Sequence, residues 1–113
     1  MSGLTHKVAV YVPSKIGTTF HIVDLFEYTK YAHEELAKAF GGATSMDVQG
    51  SWVNADGKLI FEDVTIVWSN VADEDFENAK HLIYNIAKTI CENMEQEAVS
   101  YEIDNVMYFA EGS

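Results

Sequence analysis

Gly50, Trp52, Gly57 and Glu62 are the residues whose types and spacing first point to chemistry in this chain. Gly50 leaves room for a ligand or a second backbone to come close, and Trp52 offers a stacking surface beside it. Glu62 brings a carboxylate that can accept a hydrogen bond or take a proton. With a turn at Asn54 to Gly57, Ser51 is expected opposite Ile60 and Gln49 opposite Glu62. The plainer explanation is that Gly50 relieves a bulge while Trp52 packs in a core or subunit contact. Gln96 and Glu97 are placed to bond a ligand or Glu62, or simply to satisfy loop backbone. Tyr11 and Tyr101 add rings able to stack on a base. Lys7, Lys15 and Lys58 are candidate contacts for an anion, although solvated surface lysines are the ordinary case.

Other chemistries lack their residues. His6, His21, His33 and His81 show no metal-ligand spacing, and His33-Glu34-Glu35 lacks the second histidine of a zinc-binding helix. No local pattern identifies a serine or cysteine nucleophile. Cys91 falls on an apolar helical stripe and reads as a core residue. Gly41-Gly42 follows a helix instead of opening one, so no phosphate-cradling loop is present. No cofactor and no catalytic residue are expected from these residues.

The elements that must position the candidates follow from periodicity. Lys7 to Val12 alternates as a strand that Pro13 ends, since proline cannot donate to a ladder. Ser14 to Val23 lacks a period and is expected to be a long irregular loop, a natural place for function. Asp24 is the expected N-cap of a helix to about Phe40, with Leu25, Tyr28, Ala32, Leu36, Ala39 and Phe40 on its apolar stripe. Glu34 can pair with Lys38 on its outer face. Gly41-Gly42 stops it through the left-handed cap. Met46, Val48, Gly50 and Trp52 then alternate as a half-buried strand, and the return strand runs from Leu59 to Ser69. Asp73 is the expected N-cap of a second helix bearing the stripe Phe76, Ala79, Ile83, Ile86, Ala87, Ile90, Cys91 and Met94. Ala98 to Ile103 and Val106 to Phe109 close the chain as strands around Asp104-Asn105, a pair suited to a tight hairpin turn. The order is β-α-β-β-α-β with a C-terminal β extension: an α+β, ferredoxin-like split βαβ domain over residues 1–113, two helices covering one face of an antiparallel sheet.

Both faces of the hairpin are apolar, Phe61 and Val67 on one, Ile60, Val64, Ile66 and Trp68 on the other. A lone chain would leave one face wet, so a homodimer or larger homo-oligomer is expected. At 113 residues and 48% apolar composition the chain can bury a core without staples. The single cysteine excludes an internal disulfide, and no segment approaches the ~18 apolar residues of a membrane span. A soluble cytoplasmic protein is expected.

Eighteen acidic residues against seven lysines and no arginine give a formal charge of −11. Without arginine's planar fork or clustered cations, direct nucleic-acid binding is not expected. The charge serves solubility, or it forms a face for a basic protein partner: residues 73–111 hold ten acids and two lysines, a formal −8.

Phe40-Gly41-Gly42-Ala43-Thr44, Gly50-Ser51-Trp52, Gly57, Glu62 and Glu95-Gln96-Glu97-Ala98-Val99 together resemble a set of small uncharacterised proteins encoded by bacteria, phages and plasmids. The pattern is also distantly similar to a bacterial domain family of unknown function that has Gly-Gln-Trp in its hairpin and a later Gln-Glu-Ser-Val. Here Gln49 precedes Gly50, and Ser51 stands where that family has Gln. The resemblance covers roughly residues 28 to 109. It implies the ferredoxin-like fold and dimerisation, and brings no activity.

Three functions compete. The first is a non-catalytic binding protein with its pocket at a subunit interface, in concrete form a viral counter-defence protein that sequesters a nucleotide immune signal in the host cytoplasm. Its candidate ligand residues are Tyr11, Lys15, Gly50, Trp52, Lys58, Glu62, Gln96 and Tyr101, and the charge of −11 opposes it, because phosphate would enter a negative field. The second is an acidic, nucleic-acid-mimicking inhibitor of a basic protein, whose binding should weaken steeply with salt. The third is a small ferredoxin-like enzyme with Glu62 or a histidine as general base.

Overall fold

The central strand of the molecule, β1 (His6–Pro13), is enclosed on both faces: Val8, Ala9, Val10 and Val12 have no accessible surface. The computed structural model describes residues 3–16, 19–20 and 22–112, with the side chains of 15–25 outside that description. In order, β2 (Lys15–Ile16), β3 (Thr19–Phe20), α1 (Ile22–Phe40), β4 (Thr44–Val53), β5 (Leu59–Val71), α2 (Phe76–Asn93), β6 (Ala98–Ile103) and β7 (Val106–Glu111) follow. The large sheet has the order β4-β5-β1-β6-β7 and every pairing is antiparallel. This is the ferredoxin-like split βαβ arrangement with β7 added at one edge. Pro13 ends β1 beyond the Val8–Val10 stretch that pairs with β6, where its missing N–H costs no ladder bond.

Directly paired residues share a sheet face. Val8, Val10 and Val12 therefore stand with Val67, Val71, Val99 and Tyr101 on the face that the helices cover. Ala32 and Leu36 of α1 and Ala79, Ile83, Ile86, Ala87 and Ile90 of α2 close that core. The apolar stripe of α2 is thus buried as its spacing predicts; Phe76 at its start is half-buried, stacked on His6 at 3.7 Å between ring centroids. The stripe of α1 is narrower than expected. Ala39 is exposed, and Leu25 lies outside the described side chains.

Several boundaries differ from expectation for identifiable reasons. Within 14–23, Lys15–Ile16 and Thr19–Phe20 pair as a short antiparallel hairpin in place of an unbroken loop. α1 begins at Ile22, so Asp24 lies inside its first turn and not at the position before it. Lys30 pairs with Glu34 at 3.7 Å, where Glu34 with Lys38 was expected. Asp73 opens a short 3-10 turn, Asp73–Asp75, and the residue before α2 makes no side-chain cap. Asp73 is engaged elsewhere, by His6.

The β4–β5 register is shifted by one residue: Ser51 faces Phe61, Gln49 faces Asp63, and Gly50 faces Glu62. The cause is Asn54. Its Oδ1 accepts from the backbone N–H of both Asp56 and Lys58, at 2.9 and 3.0 Å, and this draws Lys58 into the loop. Gly57 takes φ 79° there, which glycine adopts without steric penalty. At the far end, Asp104 and Asn105 have φ 49° and 68°, the paired positive values of a type I′ turn.

The hairpin reaches well beyond the helices and gives the molecule a long axis of 52 Å against 27 and 26 Å. Val53, Leu59 and Phe61 near the tip are consequently exposed, and Met46 and Trp52, on the face the helices leave open, are exposed and not half-buried. No helix among the described residues is long and apolar enough to cross a membrane.

Candidate functional site

The sheet face away from the helices carries the chemistry. Pairing places Trp52, Gly50, Glu62, Val64 and Ile66 on it from the hairpin, Tyr11 and Ala9 from β1, and Ser100 and Glu102 from β6. At the end of β1 these residues surround a hollow of ≈ 120 Å³ lined by Tyr11, Pro13, Glu62, Val64, Gln96, Ala98 and Ser100 among others. Tyr11, Glu62 and Gln96, far apart in the chain, meet here. Gly50 lies directly across from Glu62, and Trp52 one pleat further along the same face.

Each side chain is delivered by a local device. Glu62 faces outward because the β1–β5 register puts it on the face of Tyr11 and Ile66, while the Asn54 loop sets Gly50 opposite it. Gln96 arrives through the end of α2: Gln96 N–H donates to Cys91 O at 3.0 Å and Glu95 N–H to Glu92 O at 3.3 Å, with Glu95 at φ 54°. That is a Schellman cap whose left-handed position is filled by Glu where glycine is usual. The Gln96 amide also donates to Met94 O at 3.1 Å, so the structural explanation for this residue holds alongside its place in the hollow.

Tyr11 is tethered. Its hydroxyl donates to Glu102 Oε1 across the strand pair. Burial, and then the bonded carboxylate, push the phenol up to about 12, so it stays protonated at neutral pH. Gly50 has no tight neighbour: a Cβ built there meets only Glu62 O, at 4.0 Å. Among the described residues no bulge and no close approach calls for glycine here, since the β4–β5 register runs unbroken through Gly50.

Other candidates belong elsewhere. Tyr101 points into the helix-covered face, 9% exposed, between Tyr84 and Tyr108. Lys58 sits in the hairpin loop at the far tip. The side chain of Lys15 lies outside the described residues. Lys7 lies over the Trp68 ring at 4.9 Å, on the open face but away from the hollow. Cys91 is buried, donates to Gln96 O at 3.1 Å, and has its thiol pushed up by desolvation, as befits a core residue.

Sequence reading missed Glu102 and Ser100. Their signal was the strand period itself, because choosing Tyr101 on β6 selects the wrong parity and its two neighbours face the hollow's side. It also missed His6, whose Nδ1 and Nε2 lie 2.7 Å from Asp104 Oδ2 and Asp73 Oδ1. These partners are 98 and 67 residues away, and no local pattern announces them. Among the described residues no group of three or more His, Cys, Asp or Glu is arranged to hold a metal ion.

A larger hollow of ≈ 570 Å³ lies beside the hairpin's other face, where Thr65 Oγ1 donates to Asp47 Oδ1 at 2.8 Å and Asp63 and Ser14 complete the wall. Among the described residues it gathers none of the candidates.

No protein-family model and no curated protein matches the chain. Solved structures do. A phage SAM lyase in complex with S-methyl-5'-thioadenosine superposes with TM-score 0.65 and 18% identity over 99% of this chain and 93% of that one. A phage SAM lyase in the apo state gives TM-score 0.66 and 17% identity over 96% and 90%. A Bacillus cereus protein related to NIF3 gives TM-score 0.50 and 15% identity over 94% of this chain but 26% of that one. The fold is therefore shared with a lyase along nearly the whole chain. The expectation of a chain without catalysis is corrected by this finding, since the structures that match it end to end are those of an enzyme.

Proposed function

We propose that this protein is a lyase for a sulfonium nucleoside of the S-adenosylmethionine (SAM) type, with its site on the open sheet face around Tyr11, Glu62 and Gln96. The observation that carries the reading is the meeting of these residues in one hollow, on a fold shared with a phage SAM lyase. The charge of −11, which opposed a phosphate-bearing ligand, favours this one. A sulfonium nucleoside carries no phosphate and brings a positive sulfur into a negative field. A counter-defence role then works by consuming a small molecule, where the sequence pointed to sequestering one.

The reaction breaks the bond between the sulfonium sulfur and the adjoining carbon of the amino-acid chain. The electron pair goes to sulfur, which leaves as the neutral thioether S-methyl-5'-thioadenosine. The remaining fragment is completed either by its own carboxylate closing on that carbon, or by loss of a neighbouring proton to a base. Glu62 is the carboxylate in the hollow: it orients the substrate's ammonium in the first case and takes the proton in the second. A lactone product marks the first role and an unsaturated amino acid the second.

At ≈ 120 Å³ the hollow is well below the roughly 300 Å³ at the small end of ligand sites. A second copy supplies the missing wall. The same face is apolar from Met46 and Trp52 to Met107 and Phe109, all exposed in the single chain, and Gly50 leaves a gap above Glu62 that its own chain does not use. The test is incubation with SAM followed by chromatography for S-methyl-5'-thioadenosine. Wild type should produce it, and Glu62→Gln should lose on the order of 10²-fold or more in kcat while keeping its assembly. Assembled wild-type protein that releases no thioether above a protein-free control would end this reading.

A further inference from the structure

On the reading of the site as one for a sulfonium nucleoside, we infer that Tyr11 binds the substrate's cationic sulfur against its ring, and that Glu102 is a positioning residue that holds this ring in place. Tyr11 lines the hollow with Glu62, Gln96 and Ser100. Its hydroxyl is fixed to Glu102 Oε1, and Ala9, which shares this face between them, is completely covered. The ring is therefore laid along the sheet and anchored at its polar end.

A cation over the face of an aromatic ring is attracted by the ring's quadrupole. A phenol that donates to a carboxylate is more electron-rich than a free one, so the tether strengthens that attraction while it fixes the ring. The phenol held well above its ordinary range keeps its proton, which removes Tyr11 from acid–base work and leaves it a binding role. Glu102 adds a second benefit: its charge lies near the sulfur yet is occupied by the hydroxyl, so it draws the cation in without competing for it as a nucleophile. The pair selects for positive charge, and loses its grip once sulfur becomes a neutral thioether, which promotes product release.

The test compares two ligands that differ at sulfur: SAM, and S-adenosylhomocysteine, its neutral thioether counterpart. KM for the first and the inhibition constant of the second are measured on wild type, Tyr11→Leu, Tyr11→Phe and Glu102→Gln. Tyr11→Leu should raise KM for SAM about five- to thirtyfold while the inhibition constant changes less than about twofold. Tyr11→Phe, which keeps the ring and loses the tether, and Glu102→Gln, which keeps an acceptor and loses the charge, should each raise KM a few-fold with the same selectivity. A parallel change in both constants, or no change in either, overturns the inference and leaves the lyase reading standing. Wild type with no turnover of SAM removes the lyase reading itself, so the two failures are told apart.

Discussion

His6 shows how much one side chain can hold. Both ring nitrogens face carboxylate oxygens at 2.7 Å, an arrangement that favours the ring with hydrogen on both, because an ionised carboxylate only accepts. Asp104 Oδ1 also accepts from the backbone N–H of Lys7 at 2.9 Å. One residue thus ties the start of β1 to the β6–β7 turn and to the turn before α2. The hydrogen bonds that His6 donates to Asp104 and then to Asp73 raise its pKa above 6.5, and the bond to Asp104 lowers the pKa of that carboxyl. A raised histidine contributes stability that is fully present below its ordinary value and lost as pH rises through the folded one; a lowered aspartate contributes above its ordinary value and loses it on acidification. The clamp is strongest in the mildly acidic window between them. The melting temperature of wild type should exceed that of His6→Gln most at about pH 5, and the gap should narrow as pH rises past 6.5 and through the raised histidine value. A gap that is flat across this range would show that the Phe76 stack, and not charge, does the holding.

At the scale of elements, the turns decide where the chemistry points. Gly57 at φ 79° satisfies the Asn54 loop at no cost, whereas Glu95 at φ 54° closes the cap of α2 with a side chain that the left-handed region penalises. Gly57→Ala should lower stability by roughly 1–2 kcal/mol, and Glu95→Gly should raise it by up to about 1 kcal/mol, both read from chemical denaturation. The two helices, the order of the strands and the type I′ turn were legible because apolar spacing and the Asp104-Asn105 pair are local signals. The start of α2 was displaced because Asp73 has a stronger partner in His6 than in its own helix. The hairpin register was missed because it rests on one Asn side chain that bonds two amides, where residue type alone gives turn chemistry but not loop length. Glu62 and Tyr11 could be picked as candidates from their chemistry, yet their meeting, and the bond from Tyr11 to Glu102, depend on strand parity across three strands. A one-residue error in any of those strands moves a side chain to the opposite face.

For the molecule as a whole, the decisive fact is a sheet with helices on one side only. Ile66 and Trp68 on the other side are half-buried in the single chain, the latter under Lys7. On the proposed function, the second copy that completes the site covers this face, so Ile66→Lys should leave the protein as single chains, seen by light scattering during gel filtration, and abolish thioether formation with it. Wild type that elutes as one chain and yet turns SAM over would place the missing wall within the chain itself. The acidic surface suits such an arrangement only if the meeting faces are the apolar ones, since at a formal −11 per chain the charged sides repel.

Gly112 closes against the turn that carries Gln96. Its N–H donates to Glu97 O at 3.0 Å, and a Cβ built there would stand 2.8 Å from the Gln96 carbonyl. The backbone just after β7 is thus wedged beneath one wall of the candidate pocket. A bulky group that levered Gly112 outward would loosen the floor on which Gln96 stands before it disturbed the core.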